Sequence, residues 1–581
     1  MGVSITFLGG ADTVTGSKYL VRHRDESLLV DCGLFQGFKQ LRLRNWSPLP
    51  VLPESIHAVL LTHAHLDHSG YLPLLAKEGF TGHVFASTGT RDLCKILLPD
   101  SGHIQEEDAD FANRKGFSKH APALPLYTRQ DALDCQPLIK TVALHTTFQP
   151  IPGWRATFQS AGHILGASSI LLEVAGRRIL FSGDLGRPDD SLMNPPDRAP
   201  AADTVLIEST YGDRTHPLDN LLAELGPALH RLAARGGVAV IPVFAVGRAQ
   251  ALLHAINQLK ASGAVPHALP VFLDSPMAVH TTHLFAHHDG EHRLTKSEVR
   301  ALTHSATMVS STEESKALAS RHGPMVILSA SGMATGGRVL HHLEQHAGKH
   351  RNMIILTGFQ APGTRGATLA SGARSVRIHG HDVAVEAEVI SLQSASAHAD
   401  CNQLVDWLRT MPQAPAQVYV VHGERQASDT LRARIQRELG WRAALSEHGI
   451  DADPSWVEYA DISAQSGYEA TRRLLARGVK FTALFAGNDT IAFGAIRALN
   501  EAGLRIPEDV ALVGYDDIPL AAFATPPLTT MRTDPIGSGK VAMQMLMSQL
   551  KRDLPEQATQ TVLPARLVIR ESCGARLSSR R

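Results

Sequence analysis

The chain has 581 residues, material for roughly four domains at about 150 residues each. Its 44% hydrophobic and 19% charged residues are the ordinary balance of a globular protein with enough apolar side chains for buried cores. Lys plus Arg and Asp plus Glu number 56 each, so a globally basic nucleic-acid coat is excluded, although a local basic groove is not.

No apolar run approaches the length of about 18 residues that a membrane-spanning helix needs, so no membrane partner is expected. Residues Met1 to Leu8 read at once as a strand, without a basic leader or cleavage site, and a cytoplasmic location is the expectation. The five cysteines (Cys32, Cys94, Cys135, Cys401 and Cys573) are scattered and contain no C-x-x-C pair. That pattern is neither a disulfide framework nor a cysteine zinc site. Histidine is the unusual count, at 30, and imidazole is both a common transition-metal ligand and a general acid or base near neutral pH.

In chain order, residues 1–210 read as short β-runs closed by Asp, Gly or His, among them Ser27–Val30, Ala58–Leu61, Ser169–Val174 and Arg178–Phe181. The strongest chemical signal follows the second of these: His63-Ala64-His65-Leu66-Asp67-His68. Four possible ligands within six residues, at the end of a buried strand, can converge on one divalent ion such as zinc. A single histidine there would read better as a solvated turn; this density does not. Asp31 closes Leu28-Leu29-Val30, His163 sits among the small residues of Ser160-Ala161-Gly162-His163, and Asp184 follows Ile179-Leu180-Phe181. Each alone reads more readily as a turn-capping residue than as a ligand. Together they place acceptors at the ends of successive strands, where one sheet edge can present them all.

These motifs resemble the metallo-β-lactamase fold, an αββα sandwich holding one or two zinc ions at its edge. The resemblance implies that His63, His65 and His163 bind one Zn2+, that Asp67 and His68 bind a second, and that Asp184 bridges them. It makes Asp31 an orienting residue behind the ligands.

From 218 to 360 the pattern changes. Helical periodicity at Leu218–Ala234 and Gly247–Lys260 alternates with the apolar runs 238–242, 271–273, 326–328 and 353–356. Alternation of this kind predicts a parallel sheet covered by helices. Short β-runs return from about 375 to 445 (Val376–His379, Val383–Ile390, Gln417–Val421), so a second architecture interrupts the first.

The later motifs are Glu208-Ser209-Thr210-Tyr211-Gly212, Ser396-Ala397-His398-Ala399-Asp400, and a strand ending in His422-Gly423-Glu424. With the inserted segment they resemble the β-CASP family of nucleases over about residues 1–445. By that resemblance Glu208, His398 and His422 stand at successive family motifs. His422 completes the second zinc shell, and His398, hydrogen-bonded to Glu208, is the general acid, with Asp67 also at the catalytic centre. Family members acting on DNA tend to lack a histidine at the third motif, so His422 points to RNA.

Two glycine-rich loops lie in the insertion. Ser331-Gly332-Met333-Ala334-Thr335-Gly336-Gly337-Arg338 lets backbone N–H groups and a helix start approach an anion, with Arg338 able to grip phosphate oxygens. It matches the family's phosphate-contacting motif. Arg365, in the loop from Gly358 to Gly366, is a further backbone contact or a plain turn residue. The implied reaction is phosphodiester cleavage in which two divalent ions activate water and offset charge, leaving a 5′-phosphate and a 3′-hydroxyl. Endonucleolytic cutting is expected, with 5′-end exonuclease action as the variant within this class. Because ligation needs deprotonated imidazoles, activity should collapse below about pH 6.

Beyond about 440 the sequence no longer follows the nuclease. The strand-like runs ending in Asn488-Asp489 and in Asp516-Asp517, with Pro526-Pro527 and Arg532 after them, resemble the C-terminal half of a LacI/GalR repressor effector domain. That resemblance implies a periplasmic-binding-protein-like fold in which Asn488 and Asp516 would be a remnant of an effector site. Neither a helix-turn-helix headpiece nor the other effector subdomain is seen, so operator DNA is not an expected partner.

The fold class expected is therefore α/β: a metallo-β-lactamase αββα sandwich with an inserted β-CASP parallel α/β domain and a partial periplasmic-binding-protein-like α/β C-terminal fragment. The boundaries read are 1–210 and 376–445 for the lactamase domain, 211–375 for the insertion, 446–575 for the LacI-like fragment and 576–581 for a tail. The function expected is a two-metal zinc ribonuclease whose partner is RNA, with a homodimer left open. The competing readings are a small-molecule ester, thioester or lactone hydrolase on the same fold, and a regulatory fusion with a residual sugar-binding module.

Overall fold

A computed structural model describes residues 2–116, 120–217, 220–358, 360–450, 453–550 and 564–575. Leu218, Phe359 and the 576–581 tail lie outside the described residues. The chain divides into two compact units, Met1–Gln436 and Arg437–Arg581.

The first unit begins with two six-stranded sheets. One runs in the order Ser4–Gly9, Lys18–His23, Glu26–Val30, Ala58–Leu60, His83–Ala86, Ile139–Thr141. The other runs Gln417–Val421, Thr204–Glu208, Arg177–Phe181, Ser168–Val174, Arg155–Ser160, Thr147–Phe148. Tyr19, Val30 and Leu60 from the first sheet share a core with Phe158, Ile170, Phe181, Leu206 and Val421 from the second. Their inward faces make the sandwich, and helices such as Thr88–Lys115 make further layers of the unit.

Strand order carries function here. Thr204–Glu208 pairs in parallel with Gln417–Val421, Glu208 opposite Val421, so two segments far apart in sequence end side by side.

The inserted layer is a six-stranded sheet, every pair parallel, in the order Thr307–Val309, Val271–Asp274, Met325–Ser329, Val238–Pro242, Met353–Thr357, Glu388–Leu392. The four central strands are buried along their whole length, which is why they read as unbroken apolar runs. The sixth strand differs from the sequence reading, which assigned Val383–Ile390 to the returning lactamase segment. It pairs Met353 with Glu388 and Thr357 with Leu392, and so extends the inserted sheet past residue 375. As an edge strand it is only partly buried, and it lacks the apolar run that marks its neighbours.

In the second unit, Ala483–Phe485, Ala511–Asp516 and Thr529–Arg532 pair in parallel and Arg566–Val568 closes the sheet antiparallel. Helix Asp489–Glu501 places Ala492, Ala495, Ile496 and Leu499 in a core with Val510, Leu512 and Leu528. The change of pattern near residue 440 lies within one helix, Arg425–Glu447, and the division at 436/437 falls inside that helix. Among the described residues, no helix is long and apolar enough to cross a membrane.

Candidate metal centre

Each sandwich strand that ends at the shared edge delivers a side chain there. Ala58–Leu60 leads into His63 and His65, and His65 caps the short helix Leu66–Ser69 that carries Asp67 and His68. Arg155–Ser160 leads to His163, Arg177–Phe181 to Asp184, and Gln417–Val421 to His422. Gly162 (φ +68°) and Gly183 (φ +58°) precede His163 and Asp184. A Cβ at either would press on backbone of a neighbouring segment, Asn194 and Ser168 respectively, so glycine is what lets these turns close.

The donors converge. His63, His65, His163 and Asp184 form one group of ligand atoms within 4.8 Å of one another, and Asp67, His68 and His422 form another. His65 Nδ1 lies 3.1 Å from His63 Nε2 and 3.4 Å from His163 Nε2. Asp184 stands between the groups. Its Oδ2 is 3.5 Å from His63 Nε2 and 3.7 Å from His163 Nε2, while its Oδ1 is 3.2 Å from His68 Nε2 and 3.4 Å from His422 Nε2. His422 Nε2 is 3.9 Å from Asp67 Oδ2.

A shell of hydrogen bonds aims these rings. Asp31, itself at φ +60°, takes a 2.8 Å contact from His68 Nδ1 and accepts from the Thr62 N–H at 2.7 Å. Thr62 Oγ1 also reaches His63 Nδ1 at 3.1 Å, and Ser17 Oγ reaches His422 Nδ1 at 2.9 Å. Fixing one ring nitrogen this way leaves the other to face the centre.

A cation fits this donor set. Of the atoms that face the centre, His68 Nε2 and Asp184 Oδ1 are buried without a well-formed hydrogen bond, an arrangement that is costly unless something else engages such atoms. Burial, the largest influence, and the neighbouring imidazoles hold His63 and His163 well below the usual histidine range. Burial likewise drives His65 and His422 down to about 3. All four are then neutral near pH 7, the form that ligates metal. For His68, burial pulls downward but Asp184 and Asp31 outweigh it, so its proton is held until a metal competes for the site. Burial pushes Asp67 up to about 6.

Beside the two groups lies a third made of Asp184, Glu208 and His398. Glu208 is fully buried. It accepts from the Leu185 N–H at 2.7 Å and the Thr210 N–H at 3.2 Å, and its Oε1 lies 3.1 Å from His398 Nδ1. His216 holds the loop through His398 O at 2.8 Å and Asp400 Oδ2 at 2.9 Å. Burial alone would lower His398; Glu208, and then Asp184, raise it above the usual range.

The glycine-rich loop is braced from within the protein. Arg338 Nη1 donates to Asp274 at 2.8 Å and Nη2 to the Ser310 carbonyl at 2.8 Å. Arg365 donates from Nε to the Arg377 carbonyl at 2.6 Å and from Nη1 to the Thr335 carbonyl at 3.0 Å. Both arginines therefore brace the loop, each with two donor groups engaged within the protein. Ser331 Oγ caps the Thr335 N–H at 3.1 Å, and Gly336 and Gly337 lead into helix Arg338–His346. In the second unit Asn488 Oδ1 accepts from the Ile491 N–H at 2.8 Å as a helix cap, and Asp516 ends its strand at φ +108°.

Three residues here carry no sequence signal strong enough to single them out. Ser17 is 405 residues from the ring it orients. Thr62 stands immediately before the histidine motif. Arg248 opens helix Arg248–Ala261 after Gly247 at φ +77°. Among the described residues its guanidinium makes no hydrogen bond or ion pair. It nonetheless lies in electrostatic range of His65, His163 and His398. The glycine before a helix start was the available clue.

Comparison with known proteins assigns the chain to a family. The metallo-β-lactamase superfamily model matches residues 12–222, the β-CASP domain model residues 249–369, and the model for a Zn-dependent metallo-hydrolase RNA specificity domain residues 382–446. Ribonuclease TTHA0252 of Thermus thermophilus is 35% identical over 432 residues, covering 72% of this chain and 92% of that protein. The chain belongs to the β-CASP family of metallo-β-lactamase-fold hydrolases. Other relatives of this zinc-dependent metallo-hydrolase include the transcription termination factor FttA of Methanosarcina mazei, 30% identical over 75% of this chain and 69% of that one.

A periplasmic binding protein-like domain model matches residues 418–573, overlapping the RNA specificity match at 418–446. Gln417–Val421 pairs within the hydrolase sandwich, so that strand belongs to the β-CASP hydrolase. The Escherichia coli transcriptional repressor ascG is 31% identical over 25% of this chain and 51% of that chain, with a TM-score of 0.22. The chain thus spans about half the length of that repressor.

Proposed function

We propose that this β-CASP hydrolase is a two-zinc ribonuclease that cuts RNA internally and leaves a 5′-phosphate and a 3′-hydroxyl. The observation carrying the reading is Asp184: its two oxygens face two different donor sets, His63 and His163 on one side and His68 and His422 on the other. A bridging carboxylate of this kind supports two cations rather than one. His63, His65 and His163 would hold one, Asp67, His68 and His422 the other, and Asp184 both, with Asp31 orienting His68. When bound, a zinc pair makes water acidic enough to act as a nucleophile near neutral pH and offsets charge on the phosphodiester.

The remaining chemistry belongs to the chain. Glu208 holds His398 through Nδ1 and favours its protonated form, so Nε2 can deliver a proton to the leaving 3′ oxygen. Arg248, without an anionic partner of its own among the described residues, supplies fixed positive charge beside His398. The loop residues Ser331, Gly332, Gly336 and Gly337 offer backbone and hydroxyl donors to neighbouring phosphates, with Arg338 and Arg365 contributing the donors not engaged in bracing the loop. RNA as the substrate is supported by the similarity to ribonuclease TTHA0252 and by the RNA specificity match that contains His398 and His422.

The test is incubation of purified protein with a circular RNA and a 5′-labelled linear RNA, with metal analysis of the same sample. Cutting of the circle and two zinc equivalents are expected. Degradation confined to the linear RNA from its end would replace internal cutting with exonuclease action. Inertness toward both RNAs, with hydrolysis of lactones or thioesters, would overturn the ribonuclease reading.

A further inference from the structure

One more group of imidazole and carboxylate donors comes together among the described residues, away from the centre above: His341, Glu344 and His379, whose candidate ligand atoms lie within 4.8 Å of one another. His341 and Glu344 are three residues apart on helix Arg338–His346 and so share a face. His379 belongs to the hairpin formed by Ser375–Ile378 and His381–Ala384, in which Ile378 pairs with His381. The two turn residues, His379 at φ +48° and Gly380 at φ +89°, have the positive φ values of a type I′ turn. His379 and His381 therefore flank one glycine and both reach the helix. Glu344 Oε2 lies 3.0 Å from His379 Nδ1, and Glu344 Oε1 lies 2.8 Å from His381 Nε2. The His341 and His379 rings stand 4.6 Å apart.

The scaffold under these side chains is preformed. Val376, Ile378 and Val383 of the hairpin share a core with Val339, Leu340 and Leu343 of the helix. The cluster itself remains accessible, with Glu344 34% and His379 30% exposed, so packing does not require histidines there.

The geometry points to a peripheral transition-metal site in which His341, Glu344, His379 and His381 bind zinc or a chemically similar divalent cation and tie the hairpin to helix Arg338–His346. Three imidazoles and one carboxylate suit zinc, nickel or copper, whereas calcium and magnesium favour all-oxygen sets. Tetrahedral zinc with bonds of about 2.0–2.1 Å to nitrogen requires the His341, Glu344 and His379 donors to close in from their 4.8 Å spread and His381, outside that group but held by Glu344 Oε1, to turn in as the fourth ligand. This site shares no ligand with the catalytic centre and stands or falls independently of it.

The experiment is zinc-dependent protection from diethyl pyrocarbonate, mapped by mass spectrometry on the full chain with its catalytic centre already loaded. His341, His379 and His381 are expected to become protected together as added zinc rises through the micromolar range, while exposed His350 goes on reacting. Glu344→Gln should move that protection to at least about tenfold higher zinc. In equilibrium dialysis His379→Ala should retain one zinc equivalent fewer than the parent. Modification indifferent to zinc, protection unchanged in Glu344→Gln, or equal zinc content in His379→Ala would each overturn the site.

Discussion

The hydrolase unit and the C-terminal unit are written in the same local grammar, short strands followed by Asp, Asn or His, yet they treat those polar ends differently. In the C-terminal unit Asn488, Asp489 and Asp517 are engaged within the unit. Asn488 caps a helix, Asp489 accepts from Thr530 Oγ1 and from the Ile518 N–H, and Asp517 is paired with Arg532 and Arg570. In the hydrolase unit the ends of separate strands meet, and the buried His68 Nε2 and Asp184 Oδ1 that face one another there lack a well-formed hydrogen bond. A strand end becomes a chemical site where convergence leaves polar atoms jointly unsatisfied; where each finds a local partner it becomes a cap or a brace.

That contrast can be broken most directly at Asp184. Asp184→Ala should reduce cleavage to background and lower the zinc content measured by elemental analysis, because one side chain faces both donor sets. Retained zinc with retained cleavage would show that the convergence is not what makes the site. His398→Ala should slow cleavage by about 10²–10⁴-fold while zinc content stays unchanged. Zinc loss in that variant would move His398 from proton donor to ligand.

Smaller effects sharpen the picture. Asp31→Asn, which weakens the orientation of His68 without removing a ligand, should cost about 10–100-fold in zinc affinity or rate, read by competition with a chelator. Glu208→Gln tests the electrostatics. Glu208 raises His398 against the pull of burial, and a general acid acts only below its own pKa. Removing the charge should therefore move the alkaline limb of the pH–rate profile to lower pH, and an unmoved limb would dissociate His398 from the protonation step. The smallest expected effect on chemistry is in the other unit. Asp489→Ala leaves Thr530 and the Ile518 N–H unpartnered and should destabilise that unit by about 1–3 kcal/mol in denaturant melts, with the RNA cleavage rate unchanged.

Much of the candidate metal centre was legible because its chemistry is concentrated. His63, His65, Asp67 and His68 lie within six residues, and backbone continuity alone keeps them close. His163, Asp184 and His422 stood out only as polar residues after apolar runs, a pattern shared by Asn488 and Asp516. Ser17 gave no usable signal and Arg248 only the glycine before it, since a serine after a glycine and an arginine at a helix start are ordinary. The inserted sheet shows the same limit: its central strands announced themselves by unbroken burial, whereas Glu388–Leu392, at the edge, did not.

What the sequence by itself determined is the set of elements and the local chemistry, because periodicity, apolar runs and short-range ligand spacing are properties of neighbouring residues. What only the tertiary structure decided is which polar ends meet. Parallel pairing of Thr204–Glu208 with Gln417–Val421 brings His422 to Asp184, and bracing by Asp274 and by backbone carbonyls turns Arg338 and Arg365 largely inward. Register and hydrogen-bond satisfaction are settled between segments hundreds of residues apart, where no local pattern in the chain records them.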